Sequence, residues 1–134
     1  MKTILITYLS SLLPMIIIDS VWLGTMAKRF YSIHIGSLMA SSLRIIPAVL
    51  FYLLYPLGIT FFVVMPALEG SHNFLKVFLF GALLGLVAYG TYDLTNQATL
   101  REWPSIVTIV DLIWGASLTG TVSVIAVYLS RIFL

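Results

Sequence analysis

The sequence predicts an all-α integral membrane protein, a bundle of four hydrophobic helices. Three observations predict it. Hydrophobic residues make up 60% of the chain, above the roughly 45–50% of soluble proteins. Charged residues fall to 9%, where about 25% is usual. Four stretches, Thr3–Met26, Ile45–Met65, Phe74–Gln97 and Ser105–Phe133, each reach the roughly 20 mostly apolar residues that a spanning helix needs. With 134 residues there is room for one transmembrane domain over 1–134, and its first partner is the lipid bilayer.

The first span opens after Lys2 and has small residues, Thr25 and Ala27, where a signal sequence would be cut. The run to Met26 is longer than a signal core and carries Asp19 and Trp22, so it is expected to stay as a span. Lys28 and Arg29 are expected to end it. Residues 27–44 mix Phe30, Tyr31, Ile33 and Leu38 with polar residues, a pattern that fits a short interfacial helix or an irregular loop. The second span carries Pro47 and Pro56, and the first Pro14, which membrane helices tolerate as kinks. Met65 to Asn73 reads as a polar turn broken by Pro66 and Gly70. The third span holds Gly81-x-x-x-Gly85, small residues that let another helix approach closely, either inside the bundle or as a homo-oligomer face. The last turn, Arg101-Glu-Trp-Pro104, is tight, and Pro104 suits a helix start, where its missing N–H costs nothing.

Several function classes are excluded at this level. There is no cysteine, so thiolate metal sites and cysteine nucleophiles are absent. A net charge of +2, thinly dispersed, does not suit a nucleic-acid partner. His34 and His72 lie outside the spans without metal-ligand spacing, and no phosphate loop or nucleophile elbow appears. No cofactor or metal is therefore expected. Trp103 and Tyr31 fit the interfacial aromatic belt. Basic residues divide between Lys28, Arg29, Arg44 and Arg101 on one side and Lys2, Lys76 and Arg131 on the other. Clustering in the first loop favours the cytoplasm for that side.

The chemistry concentrates in three acidic residues inside spans: Asp19, Asp93 and Asp111. An Asp at the bilayer centre costs about 2.5–3.5 kcal/mol on insertion scales. Asp19 precedes Met26 by seven residues, Asp93 precedes Leu100 by seven, and Asp111 follows Pro104 by seven. At about 1.5 Å per residue, each lies roughly 10 Å inside the same membrane face, so the three are expected to share one layer. Helical spacing brings Trp22 beside Asp19, Tyr92 and Asn96 beside Asp93, and Trp114 beside Asp111. Arg44 is the basic residue nearest that depth and the expected counter-ion. Burial favours a neutral acid and a nearby Arg the charged one. With three carboxylates to one arginine, at least one is expected to hold a proton near neutral pH.

The strings that carry these residues are distinctive: Gly85-Leu-Val-Ala-Tyr-Gly-Thr-Tyr-Asp-Leu-Thr-Asn-Gln-Ala-Thr-Leu100, then Trp103-Pro104, then Val110-Asp-Leu-Ile-Trp-Gly115, with Asp19-Ser-Val-Trp-Leu-Gly24 before them. Over nearly the whole chain they resemble a bacterial family of small membrane proteins catalogued as a domain of unknown function. The resemblance implies a multi-pass protein of the bacterial inner membrane and marks the Asp-centred strings as family hallmarks. It assigns no ligand and no activity.

Three functions follow from the polar layer. The first is a proton-titratable pocket, with Asp19, Asp93, Asp111, Arg44, Asn96, Tyr92, Trp22 and Trp114 as its residues, that binds or transports a small cation or amphipathic amine. The second is an accessory subunit in which Asp–Trp and Asp–Asn contacts only clasp helices. The third is a lipid-modifying enzyme working with a carboxylate acid–base pair.

Overall fold

A computed structural model describes all 134 residues, and no strand occurs among them. Four helical segments are long and apolar enough to cross a membrane: α1 (Lys2–Leu38), α2 (Ile45–Glu69), α3 (Phe74–Thr99) and α4 (Ser105–Phe133). Only 29 of the 134 residues are buried, and the outer faces are sheathed in Leu, Ile, Val and Phe. Such a surface is stable only against hydrocarbon.

Two boundaries differ from the sequence reading. Lys28 and Arg29 do not end the first helix. It runs on through a π-helical turn at Ala27–Tyr31, an α turn at Ser32–Ile35 and a 3₁₀ turn at Gly36–Leu38. Residues 27–38 are thus an extension of α1 rather than a separate interfacial helix, and only Met39–Arg44 is irregular. Likewise Met65–Glu69 is helical, not within the turn. Pro66 is accommodated by the π turn Thr60–Val64 just before it, the local rewinding by which membrane helices absorb a proline.

The connection of α2 to α3 therefore narrows to Gly70–Asn73. Gly70 keeps a right-handed φ of −84°; a Cβ there would meet the movable imidazole of His72, Nε2 at 2.6 Å, and Pro66 O at 3.2 Å. Ser71 takes the left-handed conformation, with φ 49°. His72 N–H then donates to Ala67 O at 2.9 Å, the closure of a Schellman-type end. Asn73 caps α3, its side chain accepting from the Lys76 N–H at 2.9 Å.

The central element is α4, packed chiefly on α3 and then on α1. Small residues allow the α3 contact. A Cβ on Gly85 would lie 2.0 Å from Gly115 O, and one on Gly81 2.8 Å from Thr119 O. The Gly81/Gly85 face is thus taken up inside the bundle. The apolar core occupies the end carrying both termini: Met15, Ile59, Val63, Val64, Ala67 and Val77 meet Leu118, Val122, Ala126 and Val127. Thr60 ties α2 to α1 there, donating to Ser11 Oγ at 3.1 Å. Towards the other end α2 leans on α1, and its residues Ile45, Ile46, Leu50, Leu53 and Leu54 are exposed. The bundle is closed at one end and open at the other.

Two stability predictions follow from this packing. Gly85→Ala must push the α3 and α4 backbones apart and is expected to lower stability by at least about 2 kcal/mol. Gly24→Ala, with nothing within 4 Å of the new Cβ, should leave stability unchanged or slightly raised. Reversible unfolding in mixed micelles compares them, and equal stability of the two variants would contradict the close crossing. Ser71→Gly relieves a left-handed conformation and should stabilise by about 1 kcal/mol in the same assay; a loss would place the turn differently.

Candidate functional site

All four helices contribute to a cavity of about 380 Å³ at the open end, within the usual 300–1,000 Å³ of small-molecule sites. Asp19 and Asp111 lie in its wall, and most of the remaining lining is aromatic. Each acid arrives by a different local route. Asp19 lies one helical turn beyond the buried Met15 on α1, and Asp111 one turn before Gly115 on α4. Asp93 lies two turns beyond Gly85 on α3 and is fully buried.

Asp19 joins three helices. Its Oδ2 accepts from Tyr52 Oη of α2 at 2.6 Å, and its Oδ1 from Trp114 Nε1 of α4 at 3.1 Å. Asp111 accepts at Oδ1 from the Tyr31 hydroxyl of the α1 extension. That hydroxyl in turn accepts from Trp22 Nε1 at 3.2 Å. The indoles of Trp22 and Trp114 stack between these two clusters, centroids 4.1 Å apart and planes 7° from parallel. The clasps expected within each Asp-x-x-Trp string are therefore exchanged: Trp114 serves Asp19, and Trp22 serves Asp111 through Tyr31. Side chains three residues apart on one helix share a face, and here that face is turned to a neighbouring helix.

Behind Asp111 lies Asp93. Both of its carboxyl oxygens are buried and take no hydrogen bond from backbone, hydroxyl, amide or indole. Its neighbour is the Asp111 carboxyl, within hydrogen-bonding reach. An ionised carboxylate is an acceptor only, so two carboxyls bond to one another when one of them carries a proton.

Of the residues singled out from sequence, Asp19, Asp111, Trp22, Trp114 and Tyr92 line the cavity, with Asp93 one step behind it. Asn96 is half-buried on α3 and outside the lining, without the expected bond to Asp93. Arg44 does not join the layer. It is exposed where α2 begins, and the hydrogen-bond donors to Asp19 and Asp111 are neutral hydroxyls and an indole. The reason is geometric: its Cα precedes the first turn of a helix whose open end leans outward, so the side chain stays at the rim.

Three contributors escape the sequence reading in their roles. Tyr31 and Trp103, expected in the interfacial belt, line the cavity. The π turn at Ala27–Tyr31 inserts an extra residue into the helical repeat, and this aims Tyr31 at Asp111. Trp103 is held by donation to Thr108 Oγ1 at 3.1 Å and meets Tyr92 edge-on. Tyr52 falls on the inward face of α2 by helical spacing, but nothing in the sequence marks it as a donor to Asp19. No spacing rule predicts a π turn, so Tyr31 carries no local signal.

No curated protein and no solved structure matches the chain. A family profile does, over residues 4–128. The chain belongs to the DUF2177 family, described as "Predicted membrane protein".

Proposed function

We propose that the cavity binds a small organic cation, a protonated or quaternary amine, and exchanges it for a proton held between Asp93 and Asp111. One observation carries this reading: an aromatic-walled cavity bears Asp19 and Asp111 with no cationic side chain against them. Aromatic faces attract organic cations by about 0.5–2 kcal/mol each when desolvated, and two carboxylates supply the opposite charge. The three tryptophans of the chain all lie in this wall.

Energetics support a role beyond clasping helices. Each intramembrane Asp costs about 2.5–3.5 kcal/mol, whereas an interhelical hydrogen bond returns about 0.6 kcal/mol on average. The two bonds to Asp19 and the single hydroxyl bond to Asp111 fall short of that cost. In the proton-loaded state the Asp93–Asp111 pair carries one negative charge. An arriving cation adds its charge at Asp111, and the proton leaves Asp93, so total charge in the layer is conserved. Tyr31, bonded to Asp111 on the cavity side, is the hydroxyl through which that proton reaches water. A clasping role has one specific observation of its own: Asp19 links α1, α2 and α4, so Asp19→Asn is expected to lower stability as well as binding.

Butyltrimethylammonium titrated into the detergent-purified protein should change tryptophan fluorescence saturably. Binding should weaken as pH falls, because protons compete for the same carboxylates. Asp111→Asn should weaken it at least about tenfold, equivalent to about 1.4 kcal/mol. No saturable change at any pH between about 5 and 9, a range above the carboxyl reference value of about 4, sinks the reading.

The proton is tested separately. In weakly buffered solution, butyltrimethylammonium should release up to one proton per protein from wild type and none from Asp93→Asn. Infrared difference spectra should show a carboxylic-acid carbonyl band lost on binding and missing in that variant. Binding without proton release would leave a cation site and remove the exchange.

A further inference from the structure

A second cavity lies beside the first. Above the core, α2 diverges from α3 and leaves an apolar groove of about 520 Å³ between them, with Leu54, Gly58 and Phe61 of α2 facing Leu84 and Ala88 of α3. Its mouth opens on the lipid-facing side, where Leu54 is 70% exposed. The groove and the acidic cavity share a wall residue, Phe51.

Phe51 stands between two anchored tyrosines. Tyr52 is held by Asp19 at 2.6 Å, and Tyr55 by Thr119 Oγ1 at 2.7 Å. The Phe51 ring stacks on Tyr55 and meets Tyr52 edge-on, both at 5.3 Å between centroids. It has no polar atom to tie it down and is 39% exposed. This ring stands where the carboxylate cavity and the groove meet.

We infer that the ligand is a single-chain cationic amphiphile that enters sideways from the bilayer between α2 and α3, its charged head reaching Asp19 and Asp111 and its hydrocarbon chain lying along the groove. This rests on the cation reading above and adds the chemistry of the tail and the route. Continuity through Phe51 and the sharp change of character across it support one occupant spanning both spaces. Acid lies on one side, and hydrocarbon with almost no polar atom on the other. Along α2 the groove runs from Phe51 to Phe62, about 16 Å by helical rise, enough for a long alkyl chain.

The experiment compares butyltrimethylammonium with dodecyltrimethylammonium by tryptophan fluorescence, in wild type and in two variants that fill the groove from opposite walls, Gly58→Leu and Ala88→Leu. Space exists at Gly58, where the nearest atom to a new Cβ is Phe62 Cδ2 at 3.9 Å. All proteins are measured in the same micelles, so partition of the dodecyl chain into detergent cancels. Wild type should prefer the dodecyl probe, and each variant should lower that preference about tenfold while binding the butyl probe as before. An unchanged preference in both variants, with butyl binding intact, overturns the groove as the tail site and leaves the cation site standing. Binding of neither probe to wild type overturns both readings. Variants that lose butyl binding while melting as wild type does also overturn the separation of head and tail sites.

Discussion

The close crossing of α3 over α4 at Gly85 and Gly115 sets the positions on which the acidic layer depends. With a Cβ at Gly85 excluded by the Gly115 carbonyl, the two backbones lie nearly in contact and their registers are locked. Residues recur on one helix face about every fourth position. The face that presents Gly81 and Gly85 therefore presents Tyr89 and then Asp93, while that of α4 presents Ser123, Thr119, Gly115 and then Asp111. Tyr89 packs over Gly115, whose own Cβ would strike the ring at 2.3 Å. One further turn brings the two aspartates together. The glycines of this membrane protein thus do more than tighten packing; they fix which carboxyl faces which.

The layer is held by neutral donors. A cationic partner would satisfy Asp19 and Asp111 electrostatically and leave little for a ligand. Tyr52, Tyr31 and Trp114 instead hold the two carboxyl groups in place through neutral donors. Neutral bonds orient strongly and neutralise weakly, which is what the proposed cation site would need. The stacked Trp22–Trp114 pair lies between the two carboxylate clusters. Asp93, buried behind them with Asp111 as its neighbour, completes an arrangement open to the cavity on one side and sealed on the other.

Opposite ends of the bundle do different work. Valines, alanines and small hydroxyl residues pack tightly near the termini against the second half of α2, whereas its first half is held to α1 and α4 by single bonds from Tyr52 and Tyr55. That first half diverges from α3, and the space beside it holds an acidic cavity and an apolar groove that share Phe51 as a lining residue. Cavity and groove follow from where the core ends.

Location, helix number and the common depth of the three aspartates were legible from the sequence alone, because hydrophobic length and helical rise are local quantities. The inward faces carrying Trp22, Trp114 and Tyr92 followed for the same reason. Which donor meets which acid did not. Trp114 bonds Asp19 rather than anything in its own string, Tyr31 reaches Asp111 through a π turn, and Arg44 stays outside. Those outcomes rest on crossing geometry and on the lean of α2, which arise only when four helices settle against one another. An amino-acid sequence can place a charged group at a depth in the membrane, but its partners are set by the neighbours that packing brings alongside.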